Sequence, residues 1–178
     1  MKIQNLSKFK SKKYRKNIII RMVWYIVNIF VLKSPIFTNY QFTINILKLF
    51  GAKVGKNIVI KPNINIKYPW NLTIGDNSWI GEGVWIDNID EIIIGKNVCI
   101  SQGVYLVSAG HNYRKESFNL VTKKIVIENG VWLGAKSIVA PGVRCKEGSI
   151  LSLGSVARND LESNYIYQGN PAQKYKKR

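Results

Sequence analysis

Histidine and cysteine are scarce in this sequence, which contains one histidine, His111, and two cysteines among 178 residues. Cys99 and Cys145 each stand within an apolar run, and no CxxC pair or other zinc-ligand spacing is present. A zinc site needs about three or four such ligands, so no metal centre is expected. Unpaired thiols in apolar surroundings are typical of buried cysteines in a reducing compartment.

Acidic residues are also few, with 10 Asp and Glu against 27 Lys and Arg and a net charge of +17. Such an excess favours an anionic partner, either a phosphorylated ligand, a membrane surface or a nucleic acid. Alternatively, it reflects only a composition rich in Lys, Ile and Asn. The sequence has no recognised nucleic-acid module and no groove pattern of interleaved basic and aromatic residues. Nucleic acid is therefore not the expected partner.

The sequence shows neither a signal-peptide cleavage site nor a confident membrane span, which predicts a cytoplasmic protein. Residues 1–16 are polar and basic and are predicted to form a mobile arm. Residues 17–53 are predicted to be helical, with an apolar stretch at 18–32 and a second helix at about 40–50 that ends at Gly51. The first stretch fits either a helix at a membrane interface or a helix packed on the main domain.

From Val54 onward, apolar residues recur at every sixth position. These slots are Val54, Ile60, Ile66, Ile74, Ile80, Ile86, Ile94, Ile100, Leu106, Ile127, Leu133, Val139, Cys145, Leu151 and Ala157. Neither an α-helix, with a period of about 3.6, nor a simple strand, with a period of about 2, produces this spacing. A short strand followed by a tight corner does. Three such sides close one coil of a parallel β-helix, in which stacked coils pair their strands.

Glycine follows the slot at several predicted corners, namely Gly55, Gly75, Gly81, Gly95 and Gly134. Glycine adopts unusual backbone angles at little cost. These glycines are therefore predicted to supply the backbone angles of the corners.

The six-residue period is interrupted most strongly between Leu106 and Ile127. The extra residues must leave the coil as a protruding loop, predicted at 112–124, and loops on rigid scaffolds often carry function. His111 stands at the root of this loop. The pattern predicts an all-β domain over 54–160, followed by a C-terminal extension at 161–178.

Several stretches resemble the hexapeptide-repeat acetyltransferases. They are IGDNSWIGEGVWID (74–87), IGKNVCISQGVYL (94–106), SAGHNY (108–113), GVWLGAKSIVAPGV (130–143) and GNPAQKYKKR (169–178). The segment that leads into the repeats, residues 49–76, is similar to that of colanic-acid-type sugar O-acetyltransferases. These are relatives of the maltose, galactoside and nodulation acetyltransferases. The resemblance implies a left-handed parallel β-helix and a homotrimer with active sites between neighbouring subunits. It also implies acetyl-CoA as cosubstrate and a sugar or glycan as acceptor.

The resemblance implies that His111 is the catalytic base that takes the proton of the acceptor hydroxyl. Histidine suits this role because its ordinary pKa lies near neutrality. Many relatives have Asp after this histidine, where this chain has Asn112, so the group that orients the imidazole is left open. Asp87 and Glu82, on the preceding coil, are candidates for orienting His111, also across a subunit boundary, or for binding the acceptor. Both are also interpretable as solvated corner residues.

The relatives hold the pantetheine arm of the coenzyme along the outside of the later coils. Carried over by residue, this implies contacts from backbone amides near Gly134, Ala135 and Ser152, with Trp132 close by. The phosphates of CoA favour a basic rim, for which Lys136 and Lys174 are candidates by location. Each lysine is equally well explained as a solvated surface residue.

Other functions compete with sugar O-acetylation. A γ-type carbonic anhydrase needs three zinc-bound histidines, which a single histidine excludes. A non-enzymatic membrane- or nucleic-acid-binding scaffold would use the positive charge but leaves His111 unexplained. Acetylation of an amino sugar or of serine needs the same base and stays open. The basic arm and the 18–32 stretch further suggest a lipid-linked acceptor and peripheral association with the inner face of the cytoplasmic membrane.

Overall fold

The computed structural model describes residues 3–10, 16–36 and 38–178 of the chain. Lys2, Lys12, Lys13 and Arg15 of the predicted basic arm lie outside the described residues. Short β-strands that stack in parallel make up most of the described chain, and they follow two N-terminal helices.

The strands form three sheets, because each coil contributes one strand to each sheet in turn. Sheet I contains β1 (Lys53–Val54), β4 (Leu72–Ile74), β7 (Ile92–Ile94), β12 (Ile125–Ile127) and β15 (Arg144–Cys145). Sheet II contains β2 (Val59–Ile60), β5 (Trp79–Ile80), β8 (Cys99–Ile100), β13 (Trp132–Leu133), β16 (Ile150–Leu151), β18 (Tyr165–Gly169) and β19 (Ala172–Lys177). Sheet III contains β3 (Asn65–Ile66), β6 (Trp85–Asp87), β9 (Tyr105–Val107), β14 (Ile138–Val139) and β17 (Val156–Ala157).

The period-six slots form the core, which confirms the predicted parallel β-helix. Every slot residue from Ile60 to Ala157 is at most 3% exposed. The strand register stacks slot on slot, so Ile74 pairs with Ile94 and Ile94 with Ile127. Each buried isoleucine or leucine contributes about 1.5–3 kcal/mol. Both cysteines are free, and Cys145 fills a slot where burial raises the pKa of its thiol.

The glycines after the slots are explained by close packing, which corrects the prediction from backbone angles. A Cβ on Gly75 would lie 2.6 Å from the carbonyl carbon of Gly95 in the next coil. A Cβ on Gly134 would lie 2.5 Å from the amide nitrogen of Leu153. The left-handed backbone falls two residues later in these corners, at Asn77 and Lys136. Stacking of coils, and not the turn itself, excludes a side chain at these glycines.

The two predicted helices are present. Helix α1 (Ile18–Val27) is capped by the Asn17 side chain and continues into one π-helical turn, Asn28–Leu32. Helix α2 (Tyr40–Leu49) ends before Gly51, whose φ is 93°. Short 3₁₀ turns lie at Leu6–Lys8 and Pro69–Asn71.

Helix α1 packs on the first coil of the β-helix. The buried Trp24 indole donates a hydrogen bond of 2.9 Å to the carbonyl of Ile66. The side-chain amide of Asn28 donates a hydrogen bond of 2.7 Å to the side-chain oxygen of Asn65. The carbonyl of Leu32 accepts from the Ile64 amide at 2.9 Å. One face of α1 therefore packs against the N-terminal end of the β-helix. This agrees with the interpretation of residues 18–32 as a helix packed on the main domain.

The predicted loop is partly ordered as a β-hairpin. Strand β10 (Ala109–His111) pairs antiparallel with β11 (Leu120–Thr122), so the turn spans residues 112–119. We call residues 108–124 the histidine loop. The predicted C-terminal extension is also integrated, because β18 pairs in parallel with β16 and β19 folds back on β18.

Candidate active site

His111 is held in a defined orientation by the histidine loop. It stands in β10 opposite Leu120, and its Nδ1 lies 2.8 Å from the carbonyl oxygen of Phe118. A carbonyl only accepts hydrogen bonds, so Nδ1 must carry the proton in this contact. Nε2 of the neutral ring then presents a lone pair, as a general base requires.

Two aromatic rings contact the imidazole. The Phe118 ring stacks on it, with centroids 4.4 Å apart and an interplanar angle of 4°. The Phe9 ring lies at 5.6 Å and is tilted by 50°. The same residue, Phe118, thus supplies both the orienting carbonyl and a flat surface against the ring.

Phe9 reaches His111 because the N-terminal segment lies on the histidine loop. The Asn5 amide donates to the carbonyl of Glu116 at 2.7 Å, and Lys8 Nζ lies 2.8 Å from the Glu116 carboxylate. Residues 3–10 of the predicted mobile arm are therefore anchored where they are described. The arm was predicted mobile because its sequence is polar and basic, which does not reveal Glu116 as its partner.

Asn112 does not contact the imidazole through its side-chain oxygen. That atom accepts a hydrogen bond of 3.1 Å from the Arg114 amide and so organises the turn of the loop. Among the described residues, the Phe118 carbonyl is the partner of Nδ1. Within one chain, a backbone carbonyl therefore occupies the position of the orienting group that the sequence left open.

Asp87 lies on sheet III close to the root of the histidine loop. It pairs with Val107, and its backbone carbonyl accepts from the Ser108 hydroxyl at 3.1 Å. Its carboxylate forms a 2.9 Å ion pair with Lys67 and accepts a 3.4 Å hydrogen bond from the Tyr105 hydroxyl. Burial and the neighbouring carboxylate raise the pKa of Tyr105 to about 12, so the phenol stays a hydrogen-bond donor near neutrality.

A groove of about 470 Å³ lies beside Asp87, between α1 and the start of sheet III. Its lining is mainly apolar and aromatic and includes Tyr25, Tyr68 and Trp85, with Lys33 and Lys67 among the charged residues. Trp85 stacks on Tyr105 with centroids 4.6 Å apart. Aromatic surface therefore continues from the groove towards the histidine loop.

Glu82 is exposed and occupies a different corner from His111. The backbone carbonyl of Glu82 accepts a hydrogen bond of 2.8 Å from the Gly103 amide of the next coil. In the same way, the Gln102 carbonyl accepts from the Lys136 amide, and the Ala135 carbonyl accepts from the Gly154 amide, each at 2.8 Å. This column forms the corner between sheets II and III. The histidine loop lies between sheets III and I, so within one chain Glu82 does not share the corner of His111.

We call the column of Gln102, Ala135 and Leu153 the amide corner. Within the described part of the chain, the backbone amides of these three residues have no hydrogen-bond acceptor. The amides of Gly134 and Ser152 are instead used between coils, donating to Leu151 at 2.7 Å and to Tyr167 at 2.8 Å. Near the predicted positions, the free amides are therefore those of Ala135 and Leu153, and the coenzyme contacts stay a prediction.

The side chains of Trp132 and Lys136 lie close to the amide corner, whereas Lys174 has its contacts elsewhere. Trp132 is 46% exposed, and its indole donates to the Ser101 hydroxyl at 3.0 Å. Lys136 has a left-handed backbone, with φ of 56°, and its side chain passes Gly103. Lys174 is paired with Glu162 and lies 4.3 Å from the centre of the Tyr165 ring, and its pKa is raised mainly by the Glu162 hydrogen bond. Lys136 is thus the less engaged of the two predicted cations.

No group of three or more His, Cys, Asp or Glu residues that could hold a metal ion occurs among the described residues. The site therefore consists of one oriented imidazole and one row of free backbone amides, on opposite sides of sheet III.

No protein-family model matches the sequence. The chain is 40% identical over 133 residues to the "Putative colanic acid biosynthesis acetyltransferase WcaF" of Escherichia coli, and the match covers 75% of this chain and 73% of the relative. The chain belongs to the WcaF-like hexapeptide-repeat acetyltransferases. It is 29% identical over 132 residues to the galactoside O-acetyltransferase of E. coli, covering 72% of this chain and 65% of that protein.

Solved structures agree on the fold. A hexapeptide-repeat acetyltransferase from Vibrio cholerae superposes with a TM-score of 0.81 at 21% identity, covering 97% of this chain and 96% of that one. A maltose O-acetyltransferase from Clostridium difficile superposes with a TM-score of 0.80 at 24% identity, covering 90% and 89%. The resemblance found in the sequence is confirmed, and the chain is an acyltransferase by family.

Sequence reasoning missed three residues of this acetyltransferase's candidate site. Phe118 and Phe9 contact His111 from positions that no periodic pattern distinguishes, since one lies in the loop and the other near the N-terminus. Leu153 had a detectable signal, because it occupies the position of Ala135 one coil later. Aligning the corners of successive coils would have shown it.

Proposed function

We propose that this chain transfers the acetyl group of acetyl-CoA to a hydroxyl of a sugar in surface polysaccharide synthesis. The WcaF relative is named for colanic acid biosynthesis, and another relative for galactoside O-acetylation. Solved structures of the same fold include the V. cholerae acetyltransferase complexed with acetyl-CoA and a galactoside acetyltransferase in complex with coenzyme A. The observation that carries the proposal is the hydrogen bond between His111 Nδ1 and the Phe118 carbonyl.

In the proposed reaction, Nε2 of His111 takes the proton of the acceptor hydroxyl while its oxygen attacks the thioester carbonyl carbon. The tetrahedral intermediate collapses by breaking the C–S bond. The imidazolium returns the proton to sulfur, so the products are an acetyl ester and the free thiol of CoA. The Phe118 carbonyl keeps the proton on Nδ1 and accepts a stronger, charge-assisted hydrogen bond when the ring becomes cationic.

The amide corner suits an extended coenzyme arm. The free amides of Gln102, Ala135 and Leu153 stack one above another, so they match successive carbonyl oxygens of a pantetheine chain that runs along the corner. Trp132 offers an exposed apolar surface next to them. Lys136 supplies positive charge for a phosphate.

A homotrimer would bring base and coenzyme together. Within one chain, sheet III separates the histidine loop from the amide corner. Neighbouring copies packed side by side can place the histidine loop of one subunit against the amide corner of the next. We therefore propose a shared active site, in which Glu82 could act across the subunit boundary.

Asp87 and the groove beside it are the proposed acceptor side. The Asp87 carboxylate, the Tyr105 hydroxyl and Lys67 offer acceptors and donors for sugar hydroxyls, and Trp85 and Tyr105 offer a stacked aromatic surface. Aromatic stacking with polar groups at its edge is well suited to a sugar ring. We propose a cytoplasmic enzyme whose acceptor is a glycan, including one carried on a lipid.

An acceptor screen with radiolabelled acetyl-CoA tests the proposal, using free sugars, lipid-linked glycans, amino sugars and serine, with His111→Ala as control. The expected product is an alkali-labile ester on a sugar or glycan, absent with the control. An alkali-stable amide would replace the proposed hydroxyl acceptor by an amine. Absence of both transfer and saturable acetyl-CoA binding would leave a non-enzymatic scaffold.

A further inference from the structure

Helix α1 has a fixed inner face and an unpartnered outer face. The hydrogen bonds of Trp24 and Asn28 to the first coil hold the inner face in place. The α1 outer face consists of large apolar side chains that are 55–67% exposed: Ile18, Ile19, Met22, Tyr25, Ile26 and Phe30. An exposed apolar surface of this extent is unusual on a water-soluble domain and marks an interaction site.

The charge of the chain is distributed unevenly around this surface. Residues 1–75 contain 14 Lys and Arg and no Asp or Glu, whereas residues 76–178 contain 13 Lys and Arg and all 10 acidic residues. Lys16 precedes α1, Arg21 lies within it, and Lys33 follows its π-helical turn. The apolar face is therefore flanked by cations, and the segment that carries it contributes no carboxylate of its own.

The exposed apolar face and the cations beside it together indicate what kind of partner binds there. A second copy of the chain packed face to face on α1 could cover the apolar side chains, but it would bring a second cationic region against the first. An anionic lipid surface satisfies both properties, because its acyl region accepts the apolar side chains and its headgroups attract Lys and Arg. Among the described residues, no helix is long and apolar enough to cross a membrane, so the fitting geometry is a helix that lies in the interface.

We propose that the α1 outer face docks this acetyltransferase on an anionic bilayer, with α1 parallel to the surface. The groove beside Asp87 is lined partly by Ile18, Met22 and Tyr25 of α1, so docking brings its entrance to the lipid headgroups. A glycan attached to a lipid could then enter the groove without leaving the membrane. This last step rests on the proposed function, whereas the docking itself does not.

Co-sedimentation of the full chain with vesicles tests the docking. The vesicles are pure phosphatidylcholine or an equal mixture of phosphatidylcholine and phosphatidylglycerol. The variant Ile19→Gln/Phe30→Gln removes two apolar side chains from the α1 outer face without changing the charge, and neither residue lines the groove beside Asp87. Tyr175→Gln, on the exposed strand β19, is the matched control.

Wild type and the control are expected to partition onto the mixed vesicles, and the double variant at least about tenfold less. Binding to pure phosphatidylcholine should be much weaker, and high salt should weaken binding to the mixed vesicles. Equal recovery of wild type with and without mixed vesicles would overturn the docking, as would unchanged binding of the double variant. If the double variant instead alters the oligomeric state in sedimentation velocity without vesicles, the face lies between copies of the chain and the proposal is wrong.

Acetyl transfer to a soluble acceptor separates this inference from the proposed function. The double variant should keep the wild-type rate there, because its substitutions lie outside the proposed chemistry. Vesicle binding without any transfer activity would contradict the proposed function and leave the docking intact. Transfer activity without vesicle binding would contradict the docking and leave the proposed function intact.

Discussion

The histidine loop and the amide corner flank the same sheet but are built by different means. The loop is an insertion whose shape depends on side chains, since Phe118, Phe9 and Glu116 each hold part of it. The amide corner repeats the geometry of the coils, and its free donors are backbone amides. The proposed base therefore depends on contacts specific to this chain, whereas the proposed coenzyme side depends on the regular stacking that defines the fold.

His111→Ala tests the base side of the comparison and should have the largest effect. Loss of the proposed base is expected to lower kcat by about 100-fold or more, with little change in acetyl-CoA affinity because the proposed coenzyme contacts lie at another corner. Steady-state kinetics measure kcat, and calorimetry measures the affinity for acetyl-CoA. Near-normal turnover would contradict the assignment of His111.

Gly134→Ala tests the stacking of coils under the amide corner. The new Cβ would lie 2.5 Å from the Leu153 nitrogen and 2.8 Å from the Leu151 oxygen, so backbone must move. We expect a loss of about 1–3 kcal/mol in unfolding free energy and a higher KM for acetyl-CoA. Gly110→Ala is the control, because no atom lies within 4 Å of its added Cβ. Equal melting temperatures of the two variants would refute the steric explanation.

Leu153→Pro removes one free amide from the amide corner. Leu153 precedes a left-handed Gly154 in a turn closed by Ser155, and proline suits that turn position. The chain already places Pro141 before the left-handed Gly142. We expect the fold to persist and KM for acetyl-CoA to rise about tenfold, the equivalent of one hydrogen bond. Leu153→Ala should retain the wild-type KM, and equal KM values for both variants would exclude the amide as a ligand.

Phe9→Ala tests how far the N-terminal segment supports the base. Loss of one aromatic contact is expected to cost about 1 kcal/mol, which corresponds to a roughly fivefold lower kcat with unchanged KM for acetyl-CoA. Phe9→Leu, which keeps apolar bulk, should recover part of the rate. A wild-type kcat for Phe9→Ala would mean that Phe118 alone holds the imidazole.

Ser152→Ala should have the smallest effect. The Ser152 amide is already used by the Tyr167 carbonyl, so the substitution removes only a hydroxyl at the corner. We expect kcat and KM to stay within about twofold of the wild-type values. A much higher KM for acetyl-CoA would show that the hydroxyl binds the coenzyme after all.

The coils were predictable because they repeat. Each slot, such as Ile94 or Leu133, faces the same narrow interior, so the same constraint recurs every six residues and becomes visible in the sequence. His111 was predictable as the single histidine at the root of an insertion, with a family motif around it. The sequence could not show that the Leu153 amide is free and the Ser152 amide is not, because this depends on the hydrogen bonds between coils.

By itself, the sequence determined the period-six β-helix, the position of the histidine loop and the family resemblance, because each depends on local composition or regular spacing. Only the tertiary structure decided that the Phe118 carbonyl orients His111 and that Phe9 approaches from the N-terminus. It alone decided that Glu82 lies at the other corner and that α1 presents an apolar outer face. These are contacts, or missing contacts, between residues distant in the chain. No local pattern encodes them, since they follow from how the coils, the loop and the N-terminal segment pack together.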